Sequence, residues 1–335
     1  MVVVAVAGGT GGVGRALVEA FASCGKHEVY ILARKANPDL EKEIGVSIIP
    51  VDYSNVEATT KTLEDNHVHT LVSAITMIVP SGTPPELELI RAADASKTTK
   101  RMISSGWGVP YTEEWVHLPG GLWPTNGNTD GRYRQAELTP AFAHKLVTEA
   151  ALKETSLEYT VVQNGCFLDY WCMNTVKSYM VPATTVIDTR NNAASIPGSG
   201  NTPVAFTHTS DVAKYVAALL DLNKWEPESF VVGDKITLNE FLHLAEAAKG
   251  TKFSVTYDRV EKLKAGQATE LPCQVAEYQF MPKEVVRQWA AMFGLLFEAG
   301  VFNIPPPGTK TLNEVFPEIK PLKVKDILDV EWKKV

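Results

Sequence analysis

The run Val2-Val-Val-Ala-Val-Ala7 leads straight into Gly8-Gly-Thr-Gly-Gly-Val-Gly14 and then into Arg15-Ala-Leu-Val-Glu-Ala-Phe-Ala-Ser-Cys24. The first piece carries no polar side chain and reads as a strand buried on both faces. The last piece puts Leu17, Val18 and Phe21 at helical spacing, so it reads as an amphipathic helix. Between them, Gly8, Gly11 and Gly14 keep the spacing G-x-x-G-x-x-G. Glycines so placed allow a tight turn, close approach of the backbone to a pyrophosphate, and packing of the helix near the strand. The helix N-terminus then faces the anion. Strand, turn and helix come in the order such a motif requires. Gly8, Gly9, Thr10, Gly11, Gly12, Val13 and Gly14 are therefore candidate dinucleotide-binding residues, weighed against a purely structural turn.

The rest of the composition suits this reading. The chain has 335 residues, of which 45% are hydrophobic and 21% charged, as in a globular enzyme and unlike a disordered chain. That length suggests about two domains and a core that needs no disulfides or structural metal. A formal net charge of −7 argues against nucleic acid or an anionic membrane as partner. No apolar run reaches the ~18 residues of a membrane span. The apolar N-terminus has no basic segment before it and reads as a strand, not a leader. Cys24, Cys166, Cys172 and Cys273 are scattered, so free thiols in a reducing, cytoplasmic setting are expected. His67-x-His69 has no companion ligands at metal spacing, and no metal is expected.

Outward from the glycine turn, short apolar runs alternate with helical patterns. Val29 to Ala33 and Val46 to Val51 read as the second and third strands. A polar helix around Glu57 to Glu64 and a strand from Val68 to Ala74 follow. Pro84 and Pro85 open another helix, and Arg101 to Ser104 is a fifth strand. Thr139 to Thr155 is a helix with Phe142, Leu146 and Ala150 on one face, and Glu158 to Gln163 a sixth strand. Strands separated by helices imply right-handed crossovers and a Rossmann-type, doubly wound parallel sheet. Residues 106–140 break the rhythm and read as a functional loop such as a lid. Beyond lie a turn at Gly198 to Asn201, a helix from Asp211 to Leu220, a strand from Phe230 to Val232 and a helix from Asn239 to Lys249. The division expected is a dinucleotide-binding domain over 1–160, re-entered around 200–225. A smaller α+β substrate-binding region then covers 161–335.

The position about 20 residues after the last glycine separates the two nicotinamide dinucleotides. An acidic residue there would bind the ribose 2′-hydroxyl. Here Arg34-Lys35 follows the second strand, and two cations can pair with a 2′-phosphate, which favours NADP(H) over NAD(H). Asp52, at the end of the third strand, either reaches the adenine amino group or caps the next helix.

Many nicotinamide reductases carry a Tyr-x-x-x-Lys pair on one helix, but no tyrosine of this chain has a lysine four residues on. The helix in question holds Ala141-Phe-Ala-His-Lys145. Pro140-x-x-x-x-Lys145, Leu157-Glu-Tyr-Thr160 and Asn164-x-x-Phe167 together resemble the signature of the NmrA-like, isoflavone reductase-like atypical short-chain dehydrogenases/reductases. Arg101-Met-Ile-Ser-Ser-Gly-Trp-Gly108 is similar to their fifth-strand motif, with Ser-Gly-Trp-Gly in place of Ser-Glu-Phe-Gly. Gly198-Ser-Gly-Asn201, Phe206 and Asp211 resemble their later glycine turn and helix start. The likeness spans residues 1 to about 250 and continues more loosely beyond.

The resemblance implies a Rossmann domain with a smaller substrate domain and makes Lys145 the catalytic residue. Ala74, Ile75, Ser104 and Asn164 join the candidate cofactor-binding residues. The chemistry asks for such a cation: as hydride reaches an electron-poor carbon, negative charge develops on a conjugated oxygen, which an ammonium stabilises and protonates. His144 lies about 100° around the helix from Lys145 and reads as structural. Trp107, Phe167, Tyr170 and Trp171 are candidate lining for an aromatic or polyketide-like small molecule. Phe293, Leu296 and Phe297 share one apolar helix face, either core or a far pocket wall. The expectation is an NADPH-dependent reductase of secondary metabolism, monomeric or homodimeric. Its rivals are an NADP(H)-sensing regulator without turnover and a cofactor-assisted isomerase or cyclase.

Overall fold

The computed structural model describes residues 1–77, 85–110, 140–172, 175–181, 183 and 185–333. The expected loop over 106–140 and the helix starts at Pro84 and Thr139 fall largely outside them. So does the side chain of Phe142.

Ten elements alternate from the N-terminus: β1 (Val3–Ala7), α1 (Gly12–Cys24), β2 (Glu28–Ala33), α2 (Pro38–Ile44), β3 (Ser47–Pro50), α3 (Val56–Asp65), β4 (Thr70–Ser73), α4 (Pro85–Ala95), β5 (Arg101–Gly108) and α5 (Pro140–Lys153). β6 (Glu158–Gln163) follows, with β7 (Cys166–Phe167), β8 (Ile187–Asp188), β9 (Ala193–Pro197) and β10 (Pro203–Thr207). Then come α6 (Thr209–Leu219), β11 (Glu228–Phe230), β12 (Asp234–Thr237), α7 (Leu238–Lys249), β13 (Ser254–Asp258) and α8 (Val260–Lys264). Helices α9 (Lys283–Glu298), α10 (Leu312–Val315) and α11 (Val324–Trp332) complete the order.

The main sheet has seven strands in the order β11-β6-β5-β4-β1-β2-β3, all paired in parallel. This is a Rossmann-type doubly wound sheet. β1 is buried along Val4 to Ala7 because helices cover both faces. α1 buries Leu17, Val18 and Phe21 and stops at Gly25, whose φ of 62° suits a glycine. α6 packs on α1, and β11 extends the sheet beside β6. The strand expected at Phe230 to Val232 thus lies slightly earlier, and the chain after residue 161 returns to the main sheet.

α2 is an addition to the expected elements, although Asn37-Pro38 signals it: the Asn37 side chain accepts from Leu40 N and Pro38 occupies the first turn. β7 to β10, β12 and β13 are likewise additions, and they form two three-stranded sheets, β12-β10-β7 and β13-β9-β8. Strands of two to five residues offer no usable period. They cover a second core in which Trp171, Phe206 and Phe241 pack ring against ring, with centroids 4.9–5.6 Å apart. The four cysteines are unpaired. Among the described residues no helix is long and apolar enough to cross a membrane.

Candidate active site

The strand order reverses between β1 and β4, and ligands of open α/β sheets bind at that switch, outside the carboxyl ends of the strands. A cavity of about 350 Å³ opens there. Gly11, Gly12 and Val13 of the glycine turn line one end, with Ala74 and Ile75 from the end of β4. Trp107, Lys145, Phe167 and Tyr170 also line it. Phe293, Leu296, Val301 and Phe302 close the far side.

The turn is built to bring α1 close to β1. A Cβ on Gly14 would lie 2.3 Å from the Gly8 carbonyl oxygen, so that contact admits only glycine. Gly8 has φ of 79°. Gly11 differs: its φ of −163° is extended backbone, and a Cβ there would meet nothing within 4 Å among the described residues. Neither backbone nor described neighbours therefore demand glycine at position 11. Gly9 packs on Val18 and Ile31, and Thr10 is exposed.

Tyr53, not foreseen from sequence, holds this turn in place. Its hydroxyl donates to the Leu32 carbonyl at 2.6 Å and accepts from Gly8 N at 3.2 Å. Burial pushes the phenol up to about 12, so it stays a neutral donor. Arg34 and Lys35 follow β2 as exposed side chains, and neither pairs with a carboxylate among the described residues. Asp52 does not cap α3: Asn55 does, accepting from Ala58 N. The Asp52 carboxylate instead closes a turn on Ser54 N and Oγ, and those bonds hold its pKa below the ordinary range.

Lys145 projects from α5 to the end of β5, where its Nζ donates to the Trp107 carbonyl at 2.8 Å. His144, its neighbour, turns the other way and lies 3.0 Å from the Met77 carbonyl, tying α5 to the segment after β4. The Trp107 indole donates to the Ser73 carbonyl at 3.0 Å. Tyr170 meets Phe167 edge to face at 6.1 Å between centroids. Both are held by Asp169 between Leu168 and Tyr170. Its carboxylate accepts from Thr209 N at 2.8 Å and from the hydroxyls of Thr209 and Ser178. No local pattern marks Asp169, because its partners come from α6 and the 175–181 segment.

Gly8, Gly9, Thr10, Gly14, Arg34, Lys35 and Asp52 do not line this cavity, and three further candidates lie off its wall. Trp171 faces the second core and donates to the Ile187 carbonyl at 2.9 Å, because the tight turn over Leu168–Trp171 sends neighbouring rings in different directions. Ser104 is buried behind the wall, bonded to Glu86, and Ser105 lines the cavity instead. Asn164 is fully buried, with its carbonyl accepting from Thr207 Oγ1. Phe293 and Leu296 belong to the far wall, whereas Phe297 stacks on Phe302 in the core.

A parallel sheet with a glycine turn and a lysine opening on one apolar cavity at the switch point is the arrangement of a Rossmann-type oxidoreductase. The chain belongs to the NmrA-like family, whose sequence model matches residues 2–328. It is 34% identical over 322 residues to oxidoreductase BOA1 of Botryotinia fuckeliana, covering 96% of each chain. It is 32% identical to oxidoreductase swnN of Metarhizium robertsii, covering 99% of this chain and 98% of that one. The fold is shared with solved AtPrR2 with NADP+ and (+)pinoresinol, at a TM-score of 0.72 and 20% identity over 98% of both chains. It is shared likewise with leucoanthocyanidin reductase from Vitis vinifera, at a TM-score of 0.68 and 19% identity over 97% and 98% of the two chains. The chain is an oxidoreductase of this family.

Proposed function

We propose that the chain is an NADP(H)-dependent reductase of a conjugated or aromatic small molecule, an enone, quinone methide or aromatic ketone, with Lys145 at the reacting centre. The observation that carries this reading is the position of Lys145. It lies on one cavity with the glycine turn at one end and the rings of Trp107, Phe167, Tyr170 and Phe302 around the rest. The dinucleotide fits the residues present: no described residue crowds Gly11, and Arg34 and Lys35 offer two cations for a 2′-phosphate. Bound there, the nicotinamide would supply hydride.

The protein's own residues do the rest. The glycine turn and the N-terminus of α1 bind the pyrophosphate through backbone N–H groups. The aromatic wall excludes water and orients a flat substrate. The Lys145 ammonium, held by the Trp107 carbonyl, stabilises the oxyanion that forms as the substrate is reduced and passes it a proton. The test is turnover of NADPH by the purified protein with enones, quinone methides and aromatic ketones, read by product mass. Products two hydrogens heavier support the reading. Products of unchanged mass would mean isomerisation, and silence across the panel would favour a sensor.

A further inference from the structure

The fifth strand leaves the sheet just before the site. β5 pairs with β6 from Arg101↔Glu158 to Ser104↔Val161, and pairing resumes only at Gly108↔Gln163. On the other side, its ladder with β4 ends at Val72↔Ile103. Ser105, Gly106 and Trp107 therefore sit in a bulge without a ladder on either side. Yet this bulge carries both the Trp107 ring on the cavity and the Trp107 carbonyl that holds Lys145 Nζ. Side chains must hold it where the ladder does not.

One of them is Glu86, in the first turn of α4 and 0% exposed. Its Oε1 accepts from Ser105 N at 2.6 Å, and its Oε2 accepts from Ser104 Oγ at 3.1 Å. Ser105 Oγ in turn donates to the Ile75 carbonyl at 2.8 Å, and Trp107 Nε1 to Ser73 O. Burying a carboxyl this deeply is costly, and its bonds to Ser104 and Ser105 offset that cost. We propose that Glu86 is the positioning residue of the site: by holding the Ser104–Ser105 bend from α4, it sets the Trp107 carbonyl that aims Lys145. This rests on the reductase reading for its kinetic consequence, but not for its structural one.

Burial pushes the Glu86 carboxyl up, towards the neutral form whose shape glutamine copies. In Glu86→Gln the amide oxygen still accepts from Ser105 N–H, and the amide nitrogen still meets Ser104 Oγ. In Glu86→Ala the Ser105 N–H is left buried without a partner.

Two measurements test this. In hydrogen–deuterium exchange, Glu86→Ala is expected to speed exchange in peptides covering 101–110, and Glu86→Gln to leave it as in the wild type. In kinetics, Glu86→Ala should lower kcat roughly 10- to 100-fold, the scale of a misaligned catalytic group, while NADPH affinity stays within about threefold. Glu86→Gln should restore most of kcat. If Glu86→Ala does not fold, Glu86→Asp, one methylene too short to reach Ser105 N, takes its place with the same expectations. Unchanged exchange and kcat in the truncated variant would overturn the proposal, as would a glutamine variant as impaired as alanine. A wild type without turnover would fail the reductase reading alone, since the exchange result still decides whether Glu86 holds the bulge.

Discussion

Lys145 Nζ and the Trp107 carbonyl oxygen are 2.8 Å apart, a bond between residues 38 positions apart in the chain. It joins the only element that carries the lysine, α5, to the bulge at the end of β5. Replacing Lys145 by Met keeps much of the apolar stem and removes charge and proton. The expected outcome is a folded protein whose kcat is lower by roughly 10²–10³-fold, with nucleotide affinity only modestly reduced. Steady-state kinetics with NADPH check it, and near wild-type turnover would remove Lys145 from the mechanism.

Gly11 and Gly14 of the turn should fail in different ways. No described residue crowds Gly11 and its backbone is extended, so Gly11→Val is expected to fold normally and to lose nucleotide binding through a clash with the pyrophosphate. Gly14→Ala puts a methyl group 2.3 Å from the Gly8 carbonyl oxygen and should lower stability by about 1–3 kcal/mol before any ligand is present. Thermal unfolding beside titration calorimetry separates the two.

Arg34 is exposed and pairs with no carboxylate among the described residues. If it meets a 2′-phosphate, Arg34→Ala should weaken NADPH by roughly tenfold or more and leave NADH almost unchanged. Equal losses for the two dinucleotides, measured by fluorescence titration, would count against the assignment.

Away from the site, Asp258 is buried at the end of β13 and accepts from Ser195 Oγ, Thr269 N and Oγ1, and Lys262 Nζ, at 2.6–2.7 Å. Burial opposes its charge, but those bonds outweigh burial and hold its pKa below the ordinary carboxylate value. Such a depressed group stabilises the fold above its unfolded pKa of about 4 and loses that contribution as pH falls through the folded value. Asp258→Asn should cost roughly 2–3 kcal/mol at neutral pH, and the gap to wild type should shrink below about pH 4. Denaturant melts at pH 7 and pH 3.5 measure it, and a gap independent of pH would contradict this account.

Local sequence decided the Rossmann half. β1, the glycine turn and α1 were legible because burial on both strand faces and helical spacing are written in consecutive residues, and because Gly14 answers to a contact within the turn, although Gly8 answers to Ala74 at the end of β4, the next strand of the sheet. Lys145 was singled out by the resemblance of its surrounding motif, since spacing alone fits an ordinary solvated helix lysine as well. The cavity's composition was legible only in part: Trp107, Phe167 and Tyr170 reach it, while Trp171 turns into the second core. Tertiary structure alone decided which of these side chains meet. Glu86 and Ser105, Asp169 and Thr209, Tyr53 and Gly8 are each brought together from separate elements, and the far wall comes from α9 and residues 301–302. A buried hydrogen bond across 19 to 45 positions leaves no period in the chain, because its partners are set by how layers pack and not by what lies beside them in sequence.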